Sequence, residues 1–254
     1  MRSTVHSGCE LPGLQSAPCP CCKSLSEFEG APYPGRVLRN FLKTSFLLWL
    51  GCAPAVAAGP LPRPSIDLPK AKPGEVRTAV LAAGCFWCVE SVFERLKGVR
   101  EVTSGYAGGT KDTAQYKVVS SGSTQHAESV QIKYDDTITY ADLLWVFFAT
   151  QDPTTKNAQG PDHGPQYRST VFVRDAEERK VAEAYVAQLQ AAKSFPKPIV
   201  TTIEPLAEFY AAEDYHQNYV VNHPDNPYVM GVSLPRANAV DTLFPQLLAK
   251  PPKR

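Results

Sequence analysis

The stretch Thr78-Ala79-Val80-Leu81-Ala82, followed after one residue by Gly84-Cys85-Phe86-Trp87-Cys88-Val89-Glu90, decides how this chain is read. Its first part reads as a short buried strand, and Cys88 to Leu96 reads as a helix stopped by Gly98. The residues downstream keep alternating. Val99 to Tyr106 reads as a strand ended by Gly108-Gly109, Ser129 to Tyr134 as a half-buried strand, and Tyr140 to Thr150 carries apolar residues at helical spacing. Thr170 to Val173 is an apolar strand, Ala176 to Ala192 an Ala- and Glu-rich helix closed before Pro196, and Ile199 to Ile203 a β-branched run. The run Phe209-Tyr210-Ala211-Ala212-Glu213-Asp214-Tyr215-His216-Gln217-Asn218-Tyr219 reads as a helix whose tyrosine face packs down. Such alternation with long crossovers predicts an α/β (α+β) fold, a mixed sheet covered by helices, and not a sandwich of hairpins. There is no internal repeat.

The 254 residues allow one domain plus appendages, and the two ends of the chain differ in kind. Five of the seven cysteines (Cys9, Cys19, Cys21, Cys22, Cys52) and 11 of the 23 prolines fall in residues 1–75. Residues 1–35 show no hydrophobic period and are expected to be an unstructured extension, with translation starting near Val37 or Leu38. Residues 36–58 run from a cationic start through Phe46-Leu47-Leu48-Trp49-Leu50 to small residues at Ala55-Val56-Ala57-Ala58, the composition of a signal peptide. Export, with a periplasmic destination, is the expectation, and a cytoplasmic one if that segment is not used. Residues 59–75, with five prolines, read as a stiff extended linker, 76–235 as the catalytic domain and 236–254 as a tail. From residue 59 onward 21 basic residues face 22 acidic ones, so nucleic-acid binding is not expected.

Beyond residue 75 only Cys85 and Cys88 remain, which excludes the disulfide framework of a small secreted domain. Where a strand hands over to a helix, the first cysteine lies at a helix N-terminus, whose N–H groups and dipole favour a thiolate and lower the thiol pKa toward neutrality. Spacing i, i+3 in a first helical turn also allows the pair to close as a disulfide. Two buried thiols or half a zinc knuckle are the plainer alternatives, although Phe86-Trp87 between the cysteines is bulky for a metal turn. Glu128, in His126-Ala127-Glu128, stands at a strand entrance beside apolar residues; desolvation would keep its carboxyl protonated near neutral pH, while an ordinary solvated edge glutamate is the alternative. The long loop Gly160-Pro161-Asp162-His163-Gly164-Pro165-Gln166-Tyr167-Arg168-Ser169 offers a carboxylate, an imidazole and a phenol.

These segments, together with Ser104-Gly105-Tyr106-Ala107-Gly108-Gly109, Gln115-Tyr116 and Ala212-Glu213-Asp214-Tyr215-His216-Gln217, resemble in their order the A-type peptide-methionine (S)-S-oxide reductases. The resemblance implies a two-layer, ferredoxin-like plait. It implies Cys85 as the nucleophile, Phe86 and Trp87 as the pocket for the substrate methyl group, Glu128 as the acid, Tyr116 and Tyr167 as phenolic donors, and Asp162 as a substrate-positioning residue. The substrates would be free methionine sulfoxide and oxidised proteins, the first product a Cys85 sulfenic acid. Many members keep a recycling cysteine in a C-terminal tail, and Ser233 to Arg254 contains none. Cys88 is then the expected partner, in a Cys85–Cys88 disulfide recycled by a thioredoxin-like dithiol, with direct reduction of the sulfenic acid by an external thiol as the rival. No metal or bound cofactor is implied, and a monomer is expected. The competing functions are a general CxxC thiol-disulfide oxidoreductase, a zinc hydrolase built on H-x-E and C-x-x-C, and a non-enzymatic binding domain.

Overall fold

The structure, a computed structural model, describes residues 60–249. The expectations for residues 1–35 and for the signal-like segment 36–58 lie outside the described residues. The first strand, β1 (Arg77–Ala83), runs into α1 (Phe86–Phe93), followed by β2 (Val99–Ala107), a short α2 (Tyr116–Val119) and β3 (Ala127–Tyr134). Next come α3 (Tyr140–Ala149), a small hairpin of β4 (Ala158–Gln159) and β5 (Asp162–His163), β6 (Ser169–Val173), α4 (Ala176–Ala191), β7 (Thr202–Pro205), β8 (Phe209–Ala211), α5 (Tyr219–Asn222) and α6 (Leu234–Leu243).

Six strands form one sheet in the order β7-β6-β1-β3-β2-β8, antiparallel throughout except for the parallel β6–β7 pair. The inner four, β6-β1-β3-β2, linked by α1 and α3, have the fourth-first-third-second order of a ferredoxin-like plait, as the sequence resemblance implied. The main core lies between the sheet and its helices. Ala79, Leu81 and Ala83 of β1 and Val130, Ile132 and Tyr134 of β3 alternate onto that face, against Val89, Val92 and Phe93 of α1 and Leu143, Phe147 and Phe148. The opposite face carries a small cluster of Val80, Ala82, Ala107, Ala127 and Phe172 beneath Leu206 and Phe209.

Four readings change. Residues 60–75 are extended, but they are not a linker outside the domain. Leu61 is in the core, Trp145 Nε1 donates to its carbonyl at 3.0 Å, Tyr185 Oη donates to the Pro62 carbonyl at 3.0 Å, and Arg63 pairs with Asp142 at 2.7 Å. Donors on two helices thereby satisfy carbonyls of a segment whose prolines leave it no ladder of its own. The tail from 236 is likewise part of the domain, because α6 packs on α1 and Leu248 bridges Leu96. The segment 209–219 is not one helix. It pairs as β8 with Gly105 to Ala107, turns through a 3₁₀ segment at Asp214–His216, and enters α5 through Asn218 at φ +53°. The β-branched run expected at 199–203 is shifted, with β7 over Thr202–Pro205.

Candidate active site

The site lies where β1 ends and β3 begins. Gly84 adopts φ +80°, and a Cβ there would sit 2.5 Å from the Cβ of Gln159, so glycine alone lets the chain turn beneath the β4–β5 hairpin. Cys85 is then the N-cap of α1 and Cys88 stands one turn in, with its N–H bonded to the Cys85 carbonyl at 3.1 Å. Both thiols are free. The helix begins at Phe86, two residues earlier than the sequence reading.

Opposite Cys85 stands Glu128. The alternation that sends Val130, Ile132 and Tyr134 into the core sends this carboxyl inward too, where it is 1 % exposed. Its Oε2 accepts the Phe86 N–H at 3.1 Å. Burial pushes its pKa up to about 8, the Phe86 N–H opposing and the charge of Asp162 assisting. Asp162 is held by Tyr228, whose Oη donates to Oδ2 at 2.5 Å, and burial raises its pKa as well.

The thiols differ from the expectation of a helix-lowered Cys85. Burial, the hydrogen bond to Cys88 and the negative charges of Cys88, Glu128 and Asp162 push the Cys85 thiol up, outweighing an eight-residue helix. Cys88 is the sulfur surrounded by donors. The Cys85 thiol, the Arg236 charge and Ser233 Oγ at 3.2 Å bring it down to about 7 against burial, while Tyr228 Oη, 3.6 Å away, has its one proton on Asp162. These surroundings favour the negative charge of the pair on Cys88 over Cys85.

Aromatic rings cluster beside the cysteines. Phe86 is buried with its centroid 4.9 Å from the His216 ring, 5.8 Å from Tyr106 and 6.5 Å from Tyr116. Trp87 stacks on Tyr219 at 3.7 Å and donates its indole N–H to His216 Nδ1 at 3.1 Å, so the imidazole keeps a lone pair on Nδ1. Burial lowers the His216 pKa to about 4, which holds that neutral form. Tyr116 stands at the start of α2, its N–H bonded at 2.9 Å to Glu213 Oε1, while Glu213 Oε2 accepts from Tyr106 at 2.9 Å. Tyr167 enters from the Pro165–Tyr167 turn, and burial followed by the charges of Glu128 and Cys85 raises its pKa.

All eight site residues singled out in the sequence therefore meet around the cysteine pair. His126 does not join them. Its Nε2 lies 3.0 Å from the Thr110 carbonyl and its ring packs on Tyr106 and Tyr210. Among the described residues no group of three or more His, Cys, Asp and Glu is placed to hold a metal ion. Sequence reasoning missed Glu213, His216, Tyr219, Tyr228, Ser233 and Arg236. The first three lay inside the run read as a packed helix, and nothing in the spacing of the last three marks them as neighbours of Cys88.

A family model described as peptide methionine sulfoxide reductase matches residues 77–246. Peptide methionine sulfoxide reductase MsrA 2 of Mesorhizobium japonicum is 48% identical over 185 residues, 72% of this chain and 94% of the relative. Among solved structures, reduced Mxr1 from Saccharomyces cerevisiae is 34% identical with a TM-score of 0.54, covering 62% of this chain and 91% of its own. Methionine sulfoxide reductase A of Corynebacterium diphtheriae is 33% identical with a TM-score of 0.50, over 68% of this chain and 86% of its own. With the match spanning the plait, the cysteine pair and the buried carboxyl alike, the chain belongs to the A-type peptide methionine sulfoxide reductase family.

Proposed function

We propose that the protein reduces the S epimer of methionine sulfoxide, free or within oxidised proteins, with Cys85 as nucleophile and Cys88 as resolving thiol. The observation that carries this reading is Glu128: a fully buried carboxyl, protonated up to about pH 8, beside a cysteine and a cluster of aromatic rings. A sulfoxide oxygen leaves only once it is protonated, and Glu128 with the phenols of Tyr116 and Tyr167 supplies donors around it. Phe86 and Trp87 offer an apolar seat for the S-methyl group, and Asp162 fixes the polar side of the substrate.

Cys85 attacks sulfur as its own proton passes to the Cys88 thiolate, and the Glu128 proton goes to the sulfoxide oxygen. The hydroxyl passes from the substrate sulfur to Cys85 Sγ as the bond between the two sulfurs breaks, so methionine leaves and Cys85 becomes a sulfenic acid. The Cys88 sulfur then displaces the hydroxyl, the thiol proton leaving with it as water, and the Cys85–Cys88 disulfide forms. An i, i+3 pair in a first helical turn brings its Cα atoms within the roughly 4.4–6.8 Å that this bond requires. A thioredoxin-like dithiol returns the pair to the reduced state. The signal-like segment 36–58 supports export to the periplasm, where N-terminal sequencing would find a first residue near Ala58 or Gly59.

The test is turnover of separated epimers by the full chain. The S epimer is expected to be reduced, with activity abolished in Cys85→Ser. Preference for the R epimer, or sulfoxide-independent reduction of insulin at a comparable rate, overturns the reading.

A further inference from the structure

Regeneration of the oxidised enzyme has two possible entry points, since a reductant can attack either sulfur of the disulfide. Which one it takes depends on which sulfur is reachable and which one leaves better as a thiolate. The structure distinguishes the two on both counts.

Reach favours Cys85. It is 7 % exposed, on the sulfur that the sulfoxide itself must reach, whereas Cys88 is 2 % exposed. Cys88 is enclosed behind Ser233 Oγ at 3.2 Å and Tyr228 Oη at 3.6 Å, and α6 packs against the helix that carries it. Departure favours Cys88. The Ser233 hydroxyl, 3.2 Å away, can donate to its sulfur, and Arg236 adds a positive charge close by. Arg236 is anchored by one nitrogen only, Nη1 donating to the Ala83 carbonyl at 2.7 Å, while its Nε is enclosed without a partner. A guanidinium enclosed with no carboxylate at salt-bridge distance is costly unless an anion shares the pocket; Asp162 acts on it through charge alone, and a Cys88 thiolate is a second such anion. Cys85 faces the reverse environment, with Glu128 and Asp162 raising its thiol.

We propose that the reductant attacks the sulfur of Cys85, and that Cys88 leaves as a thiolate into the pocket of Ser233, Tyr228 and Arg236. The proposal rests on the reading that Cys88 resolves the sulfenic acid. In the step, a thiolate of the reductant forms an S–S bond to Cys85 Sγ, the Cys85–Cys88 bond breaks, and its electron pair goes to Cys88 Sγ. The second thiol of the reductant then attacks the reductant's own sulfur in the mixed disulfide. Cys85 departs and takes up that thiol's proton, which restores the resting pair.

The full chain, oxidised with one equivalent of L-methionine S-sulfoxide, is mixed with a thioredoxin whose second active-site cysteine is serine. It is then quenched with iodoacetamide and digested with chymotrypsin. Cleavage after Phe86 or Trp87 places the two cysteines on separate peptides. Thioredoxin linked to Cys85 with Cys88 alkylated is the expected result, and linkage to Cys88 with Cys85 alkylated overturns the proposal. If the oxidised chain carries no Cys85–Cys88 disulfide before thioredoxin is added, the resolving role fails instead, and this proposal with it. As a second measurement, intact thioredoxin reduces the pre-formed disulfide of Ser233→Ala more slowly, by roughly three-fold for each unit that the leaving thiol's pKa rises. A rate equal to wild type overturns the leaving-group half.

Discussion

Glu128 shows how one residue acquires two opposed roles. Strand alternation buries it, burial keeps it protonated, and the proton is what the reaction uses. Because its pKa is raised to about 8, the active form is present at neutral pH and is lost as the pH rises through that value. The kcat/KM for the S epimer should therefore fall with a single ionisation near pH 8, and Glu128→Gln should lower kcat by roughly 10²- to 10³-fold and lose that limb. A Glu128→Gln profile that keeps the wild-type limb would assign the proton elsewhere. The residue was legible beforehand as a carboxyl beside apolar residues at a strand entrance; that it points where Val130 points follows from β3 beginning at Ala127, two residues before the strand read from the sequence. The protonation of the cysteines was not legible. It depends on Ser233 and Arg236, more than a hundred positions away in sequence, which reverse what the helix N-terminus alone would do.

At the scale of elements, periodic segments were readable and aperiodic ones were not. α1, α3 and α4 follow from helical spacing and β3 from alternation, while β1 and β6, buried on both faces, read as short continuous apolar runs. The run 209–219 has helical composition, yet tertiary demands override it: β8 completes the sheet edge at Gly105, and Glu213 is taken up in holding Tyr116 and Tyr106. Removing that carboxylate in Glu213→Ala should cost about 1–2 kcal/mol in denaturant unfolding. It should also lower kcat/KM roughly ten-fold by loosening Tyr116, while Glu213→Gln, which keeps one acceptor oxygen, recovers part of both. Unchanged kinetics would show that Tyr116 is held by other means. The strap at 60–75 gives no periodic signal because it packs through backbone carbonyls and a few side chains. Leu61 is its anchor, 6 % exposed against the helices, so Leu61→Ala should destabilise the protein by about 2–3 kcal/mol with the site geometry intact. If the midpoint of unfolding does not move, residues 60–75 contribute nothing to stability.

The molecule as a whole carries its site as a set of buried titratable groups, and these should shape its stability against pH. Glu128 and Glu90 have ordinary pKa values of 4.5 and folded values raised by burial to about 8 and about 7. The folded state holds those protons longer than the unfolded chain does. Their contribution is therefore complete below pH 4.5 and is lost as the pH rises through 7 and 8, at about 1.4 kcal/mol per unit for each group. His216 works in the other direction. Its folded pKa is lowered from 6.5 to about 4, so its contribution is present above 6.5 and disappears on acidification through 4. The lowered carboxyls of Glu204 and Glu213 add to that acid-side loss. On the alkaline side, Cys88, lowered to about 7, restores part of what the glutamates lose, while Cys85, raised, offsets it at higher pH. Two glutamates outweigh one histidine between pH 4.5 and 6.5, so stability of the reduced protein should peak near pH 5 and decline toward pH 8. That peak lies at the acid edge of the range in which most domains are most stable. Urea unfolding at pH 5, 6.5 and 8 measures the slope directly, and the double substitution Glu90→Gln with Glu128→Gln should flatten it. A wild-type curve that rises from pH 5 to pH 8 would mean that these carboxyls ionise inside the fold. The acid assigned to the sulfoxide oxygen would then already be spent at neutral pH.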